Sequence, residues 1–355
     1  MRFIDSIVEK DNRVLLALEK CKLNGRPVYI WGDGEGADNV EVRAKGYSFA
    51  GRLVNKKYYK EKSGVACLED FLRETDQKIN LLVAFKGFTE EMVNPYREKI
   101  DILINMDIYA GNCTVDSELM TYSWVLDNVG ELERVYDELG DDFSRKVMSA
   151  YINQKISSDY KYLKSVKSSP QYFEDIMPLC ENEVFVDCGA YDGDSATSFI
   201  EALRIRGINS YKKIYSFEPD PLNYIKLSKR GFNNHVCINK GTSEGMGELS
   251  FSVLGTSSVF DENGEIKVPI NSLDSEIDDD VTIIKMDIEG AELASIKGAK
   301  GLIQKYRPKM AVCIYHKKED LWEIQEYLKE LVPEYKFYMR AYDDTATELV
   351  LYAIL

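Results

Sequence analysis

The apolar positions of this chain fall into short runs, separated by longer stretches in which they recur every three or four residues. In the first third, PVYIW (27–31), SFAGRLV (48–54), INLLVAF (79–85) and IDILINM (100–106) have the length and apolar content of strands. Residues 1–24 have helical spacing, as does the stretch from the glycine turn after Trp31 through Lys45. Strands alternating with helices predict a parallel sheet covered by helices, a small α/β domain over residues 1–116.

Residues 117–178 change character. Leu132, Val135, Leu139, Phe143 and Val147 keep helical spacing among charged neighbours, and no strand-like run occurs, which predicts a helical connector between two domains. A second α/β unit follows over residues 179–355. EVFVDC (183–188), KIYSFEP (213–219), NHVCINKG (234–241), VTIIKMDI (281–288) and KMAVCIYH (309–316) read as strands. Residues 195–205, DPLNYIKLSKR (220–230), AELASIKGAKGLI (291–303) and EDLWEIQEYLKEL (319–331) read as helices, the last with Leu321, Ile324, Leu328 and Leu331 on one face. GELSFSVLG (247–255) and EIKVPINSL (265–273) are extended and less regular, which predicts a hairpin insertion. YKFYMRAY and ELVLYAIL flank the polar turn DDTAT, so an antiparallel hairpin closes an otherwise parallel sheet.

Two glycine loops compete for a cofactor. Gly32-x-Gly34-x-x-Ala37 follows a strand and opens a helix, the form of a dinucleotide fingerprint in a Rossmann-like domain. Asp33 and Glu35 put negative charge where a pyrophosphate would approach, and no acid between Val42 and Lys60 is there to hold a ribose. Asn55, Lys56 and Lys57 suit a 2′-phosphate or a solvated turn. Close backbone packing is the simpler reading of these glycines, with NAD(P) binding as the alternative. In the second loop, VFVDCGAYDGDSATSF (184–199), Asp187 ends the strand, Gly189 and Gly193 make the turn, and Asp194 or Ser195 caps the helix. Its acids disfavour a phosphate and suit S-adenosylmethionine, whose sulfonium and ammonium groups are positive. Glu218 ends the next strand, where a carboxylate accepts both ribose hydroxyls, and Pro219 turns the chain away. Thr242 and Ser243 follow the strand after that, on the adenine side. All three turns fall at carboxyl ends of successive strands, the ligand crevice of open α/β sheets.

A formal net charge of −15 argues against a surface that tracks phosphates, so nucleic acid is not an expected partner. No apolar run approaches the roughly 20 residues of a membrane span. The N-terminal MRFIDSIVEKDNRVLLALEK reads as an amphipathic segment rather than a signal peptide. Seven scattered cysteines without a CxxC pair read as reduced thiols of a cytoplasmic protein. With two histidines and no ligand clustering, no metal is assigned. The pattern leaves the oligomeric state open.

The run VFVDCGAYDGD, SFEPDPLNYIKL, IIKMDIEGAELASIKGAK, YHKKEDLWEI and ELVLYAI, in this order over roughly residues 170–355, resembles the FkbM-type methyltransferases. These are S-adenosylmethionine-dependent enzymes whose type members methylate oxygen. The resemblance implies a seven-stranded doubly wound sheet with an antiparallel last strand. It also implies O-methylation of a hydroxyl on a sugar, glycan or other small metabolite. Matched residue by residue, Asp187, Gly189, Ala190, Tyr191, Gly193, Asp194 and Ser195 form the cofactor loop and Glu218 the ribose ligand. Lys285, Asp287, Glu289, Gly290 and Glu292 then surround the reaction centre. Ser257 and Ser258 resemble a serine pair that often precedes this signature, and His316 ends the following strand as in related members.

Each of these residues has a plainer reading. Asp287 faces the crevice or caps the next helix, and Glu289 faces the crevice or serves the helix dipole. His316 suits a general base, or bonds a loop carbonyl, or contacts substrate without titrating. Lys285 holds Asp287 or Glu289, or snorkels along its strand. His235 reads as structural. Asp287 and Glu289 would serve as magnesium ligands, but no third ligand has a fitting spacing. Many relatives carry a basic, histidine-containing stretch before the last strand. Here it reads MRAYDDTATE (339–348), with Arg340 and Tyr342, which leaves the acceptor open. A non-catalytic cofactor-binding module is the remaining alternative.

Overall fold

A computed structural model describes residues 2–43, 46–85, 87–106, 119–254, 257–260 and 266–355. Its first sheet contains β1 (Val28–Trp31), β2 (Gly51–Val54), β3 (Val65–Cys67), β4 (Ile79–Val83) and β5 (Ile100–Asn105), all parallel, in the order β3-β2-β1-β4-β5. Four of these strands are the predicted ones. The fifth, β3, has only three residues, too few to show alternation. It exists by pairing Arg52 with Val65 and Val54 with Cys67 along the edge.

The opening helix is interrupted. A 3-10 turn spans Phe3–Ser6 and an α-helix spans Arg13–Asn24. Between them the backbone N–H groups of Val8 and Glu9 donate to Asn153 Oδ1, and Asn12 caps the second piece by accepting from Val14 and Leu15. Bonds to the connector thus replace helical bonds in this segment.

The connector contains helices Tyr122–Asp127, Val129–Glu138, Asp142–Ser157 and Lys161–Lys164. Leu132, Val135, Leu139 and Val147 are buried as predicted, whereas Phe143 keeps 38% of its surface exposed. Phe143 instead carries the Arg340 guanidinium over its ring at 4.9 Å, while Arg340 pairs with Asp141 at 2.8 Å. These contacts tie the connector to the C-terminal unit.

That unit is built on β6 (Val184–Cys188), β7 (Lys213–Phe217) and β8 (His235–Ile238). The inserted strands β9 (Gly241–Thr242), β10 (Gly247–Leu254), β11 (Ser257–Phe260) and β12 (Ile266–Asn271) come next in the chain. The sheet resumes with β13 (Ile283–Met286), β14 (Lys309–Cys313), β15 (Lys336–Ala341) and β16 (Leu349–Ile354). The seven-stranded order is β15-β16-β14-β13-β6-β7-β8, and β16 runs antiparallel to both neighbours. The insertion is more than a hairpin: it forms its own four-stranded sheet in the order β11-β10-β12-β9.

Alternation along the strands divides two cores. Val184, Val186, Ile284 and Val312 pack on one face, and Phe185, Ile283, Ala311 and Phe199 on the other. The predicted helix over 291–303 divides into Glu292–Lys297 and Lys300–Tyr306. It divides at Gly298, where a Cβ would lie 2.0 Å from the Ser243 carbonyl oxygen. Asp274 then caps the second piece, accepting from Gly301 and Leu302 N–H. On the helix Asp320–Leu331 the predicted face is buried, each such side chain contributing roughly 1.5–3 kcal/mol. Among the described residues no helix is long and apolar enough to cross a membrane. Six cysteines there are free, and Cys21, Cys67, Cys188 and Cys313 are buried.

Candidate active site

A cavity of about 420 Å³ opens at the carboxyl edge of the seven-stranded sheet. Strand order decides what lines it. From β7 outward come Glu218 after β7, Gly189 and Tyr191 after β6, Asp287 and Glu289 after β13, and Tyr315 after β14. Because β16 is antiparallel, the residue before it, Glu348, reaches the same edge.

The second glycine loop forms one wall. Gly189 adopts φ +78°, and a Cβ there would lie 1.9 Å from the Asp287 carbonyl oxygen. The two strand ends approach this closely only because residue 189 has no side chain. Ala190 is buried, with its N–H on the Phe217 carbonyl. Tyr191 is exposed and lines the cavity. The helix cap differs from expectation: Gly193, at φ +93°, takes the N-cap position, and Asp194 accepts from the Ser195 N–H at 2.7 Å. Asp194 and Ser195 both line the cavity.

Glu218 is buried and accepts from the Tyr191 and Asp220 N–H groups at 2.7 and 2.8 Å. Burial pushes its carboxyl up to about 7, against those two hydrogen bonds. Pro219 and Thr242 line the cavity beside it. Ser243 does not, since its backbone packs on Gly298 and bonds Asn271.

Asp187 and Lys285 are register partners on adjacent strands and share an inward face. They pair at 3.1 Å with both side chains buried, and Lys285 Nζ also donates to the Gly189 carbonyl at 2.8 Å. The lysine therefore neither snorkels nor pairs with Asp287 or Glu289. It holds the base of the loop through Asp187, and Asp187 itself stays below the cavity surface. Burial raises the Asp187 carboxyl to about 6 despite the lysine. Burial opposes the charge of Lys285, but the carboxylates of Asp187 and Asp287 outweigh it and raise the ammonium.

Asp287 does not cap the next helix. Its oxygens accept from the Tyr315 and Tyr172 hydroxyls at 3.0 and 3.1 Å. Partial burial works to raise its pKa, but Lys285, His316 and these two hydroxyls together lower it. Glu292 serves the backbone instead, accepting from the Ile288 N–H at 2.8 Å. Glu289, at φ +57°, stands exposed on the cavity wall.

His316 is buried behind this wall and does not line the cavity. Its Nδ1 lies 2.9 Å from Glu292, and its Nε2 lies 3.6 and 3.8 Å from Glu289 and Asp287. Burial alone would lower its pKa, but Glu292, Asp287 and Glu289 raise it to about 9. The ring is thus an imidazolium at neutral pH and serves the cluster as a cation. Its stabilising contribution is present in full below the unfolded value near 6.5 and is lost as pH rises through about 9. Between pH 6.5 and 9.5 the native protein is therefore expected to lose on the order of 2–3 kcal/mol more than His316→Asn in urea unfolding. Equal losses would disprove this. Asp287, Glu292 and His316 offer donor atoms within 4.8 Å of one another. The fold thus gathers around Asp287 a donor cluster that spacing along the chain did not show.

His235 bonds Ser216 at 2.9 Å, away from the cavity. The side chains of Ser257 and Ser258 lie outside the described residues. Sequence reasoning missed Gln171, Tyr172, Tyr315 and Glu348, which the fold brings to the cavity from the connector's end and from β14 and β16. Only Tyr315 and Glu348 had a signal, since they are the first residues of the quoted stretches YHKKEDLWEI and ELVLYAI. In the first glycine loop, Asp33 pairs with Arg52 and Lys62 at 3.2 and 3.1 Å, and a Cβ on Gly36 would lie 2.2 Å from the Ala84 carbonyl oxygen. The close approach is thus made at Gly36, whereas a Cβ on Gly34 would meet open space and one on Gly32 only ordinary contact with Ala84.

Residues 187–343 match the methyltransferase FkbM domain, so the chain carries a methyltransferase domain of this type. The FkbM methyltransferase from Methylobacillus flagellatus KT has the same fold, with a TM-score of 0.76 at 19% identity. That match covers 99% of this chain and 98% of the other. An rRNA methylase from Streptococcus thermophilus matches 49% of this chain and 87% of its own at 17% identity, with a TM-score of 0.32. A putative methyltransferase from Streptococcus mutans, solved in complex with SAH, matches 50% of this chain and 91% of its own at 13% identity, also at 0.32. No curated protein matches the sequence.

Proposed function

We propose that this chain, built around an FkbM methyltransferase domain, uses S-adenosylmethionine to methylate a hydroxyl on a sugar, glycan or other small metabolite. The supporting observation is the cavity wall made by Gly189, Tyr191 and Glu218. It offers a glycine cradle and a buried carboxylate, and the lysine that lines it, Lys285, is already paired with Asp187. A carboxylate has about four acceptor sites, so Glu218 keeps capacity for two ribose hydroxyls beyond its two backbone bonds. Asp194 and the loop backbone would hold the methionine part, and Thr242 the adenine side.

When bound, the cofactor supplies a methyl group on a positively charged sulfur. The chain's residues orient and exclude water. Tyr172 and Tyr315 fix Asp287, and the imidazolium of His316 holds Asp287, Glu289 and Glu292 in place. In this reading residues 1–116 form a Rossmann-like domain without a ligand of its own, 117–178 a connector, and 179–355 the catalytic domain, in a cytoplasmic protein.

Calorimetric titration with S-adenosylhomocysteine, beside NADH and NADPH, tests the proposal. One-to-one binding of the first is expected, weakened on the order of 100-fold in Glu218→Ala, which removes charge-assisted hydrogen bonds to ligand. Glu218→Ala is preferable to an Asp187 variant, which would also unpair Lys285. Binding of a dinucleotide alone would refute the reading. After binding, tritium transfer from labelled S-adenosylmethionine to a panel of sugars and polyols identifies the acceptor.

A further inference from the structure

We propose that Glu348 is the general base that takes the proton of the acceptor hydroxyl, with Gln171 as its positioning residue. This rests on the methyl-transfer reading above. Glu348 lines the cavity on the β16 side, across Asp287 from the Glu218 wall, so it faces whatever lies beyond the cofactor. Gln171 Nε2 donates to Oε2 of Glu348, which fixes the carboxylate and leaves its other oxygen for a ligand.

The rival candidates are otherwise engaged. Asp287 is held ionised by two tyrosine hydroxyls, Lys285 and His316, which makes it a weak base. His316 is a cation behind the wall, and Lys285 is bound to Asp187. Oxygens of Asp287 and Glu348 lie within 4.8 Å of each other, and two such groups separate their protonation ranges. Burial, then Asp287, raise Glu348 to about 7, while Gln171 and Lys285 lower it and Asp343 adds to the rise. Tyr172, Tyr315 and Cys313 face it as neutral groups, their own protons held by burial. A carboxylate near 7 is matched to proton transfer at neutral pH.

The step balances. The acceptor O–H proton passes to the free oxygen of Glu348 and an oxygen lone pair forms the O–CH₃ bond. The C–S bond breaks with its pair onto sulfur, which leaves as a neutral thioether. The proton then passes to solvent.

Two measurements test this. In the complex with S-adenosylhomocysteine, the protonated-carboxyl infrared band absent from Glu348→Gln should titrate within about one unit of 7. A midpoint outside that window overturns the proposal. With the acceptor found in the panel, Glu348→Gln should lower kcat about 100-fold while S-adenosylhomocysteine affinity changes less than about twofold, and Glu348→Asp should restore part of the rate. Gln171→Ala should move the acid limb of the kcat profile to higher pH, because it removes a hydrogen bond to the charged form. Turnover of Glu348→Gln within about tenfold of native overturns the proposal. Absent binding of S-adenosylhomocysteine by the native protein overturns instead the reading on which it rests, and the infrared titration of the free protein still decides whether Glu348 can accept a proton at neutral pH.

Discussion

Lys285→Met is expected to destabilise the protein by about 3–5 kcal/mol in urea unfolding at pH 8, because it strands a buried carboxylate. Asp187 has no exposed surface, and its charge is balanced by the lysine 3.1 Å away on the adjacent strand. Without the lysine, Asp187 must fold protonated. A carboxyl whose folded pKa is raised stabilises the fold relative to its unfolded state only while protonated, so the deficit should shrink as pH falls toward the unfolded value near 3.8. Asp187→Asn combined with Lys285→Met should recover most of the loss, since neither partner is then charged. A single variant within about 1 kcal/mol of native would show that the pair carries little of the fold.

Gly189→Ala is expected to abolish S-adenosylhomocysteine binding, by 100-fold or more, and to destabilise by more than about 2 kcal/mol. Two costs add here. The left-handed backbone at φ +78° disfavours alanine by about 1–2 kcal/mol. The new Cβ would also meet the Asp287 carbonyl oxygen at 1.9 Å, so the ends of β6 and β13 must part. Gly207→Ala separates the two costs: its φ is +73° but its Cβ meets open space, so only the backbone cost should appear. Comparable behaviour of the two variants would remove the close approach from the account.

The opening helix and the paired lysine show where pattern reading stops. Spacing in residues 1–24 is helical throughout, yet Val8 and Glu9 bond to Asn153, a partner 145 and 144 positions away. Lys285 looked like a holder of nearby acids, but the register of β6 against β13 selected Asp187. Both outcomes depend on which distant residue arrives, and local spacing carries no record of that.

The sequence by itself determined the alternation of strands and helices, the two sheets, the terminal antiparallel hairpin and the glycine–acid loop with Glu218. These rest on local causes: residue period, turn residues and the order of motifs along the chain. Tertiary structure decided the edge strand β3, the interrupted helices, and the retreat of His316 and Asp187 behind the cavity wall. It also brought to that wall Gln171 and Tyr172, which precede the motifs, and Glu348, which opens the last of them. Their burial and mutual distances set the charges of the site, and those quantities exist only once the strands have taken their order.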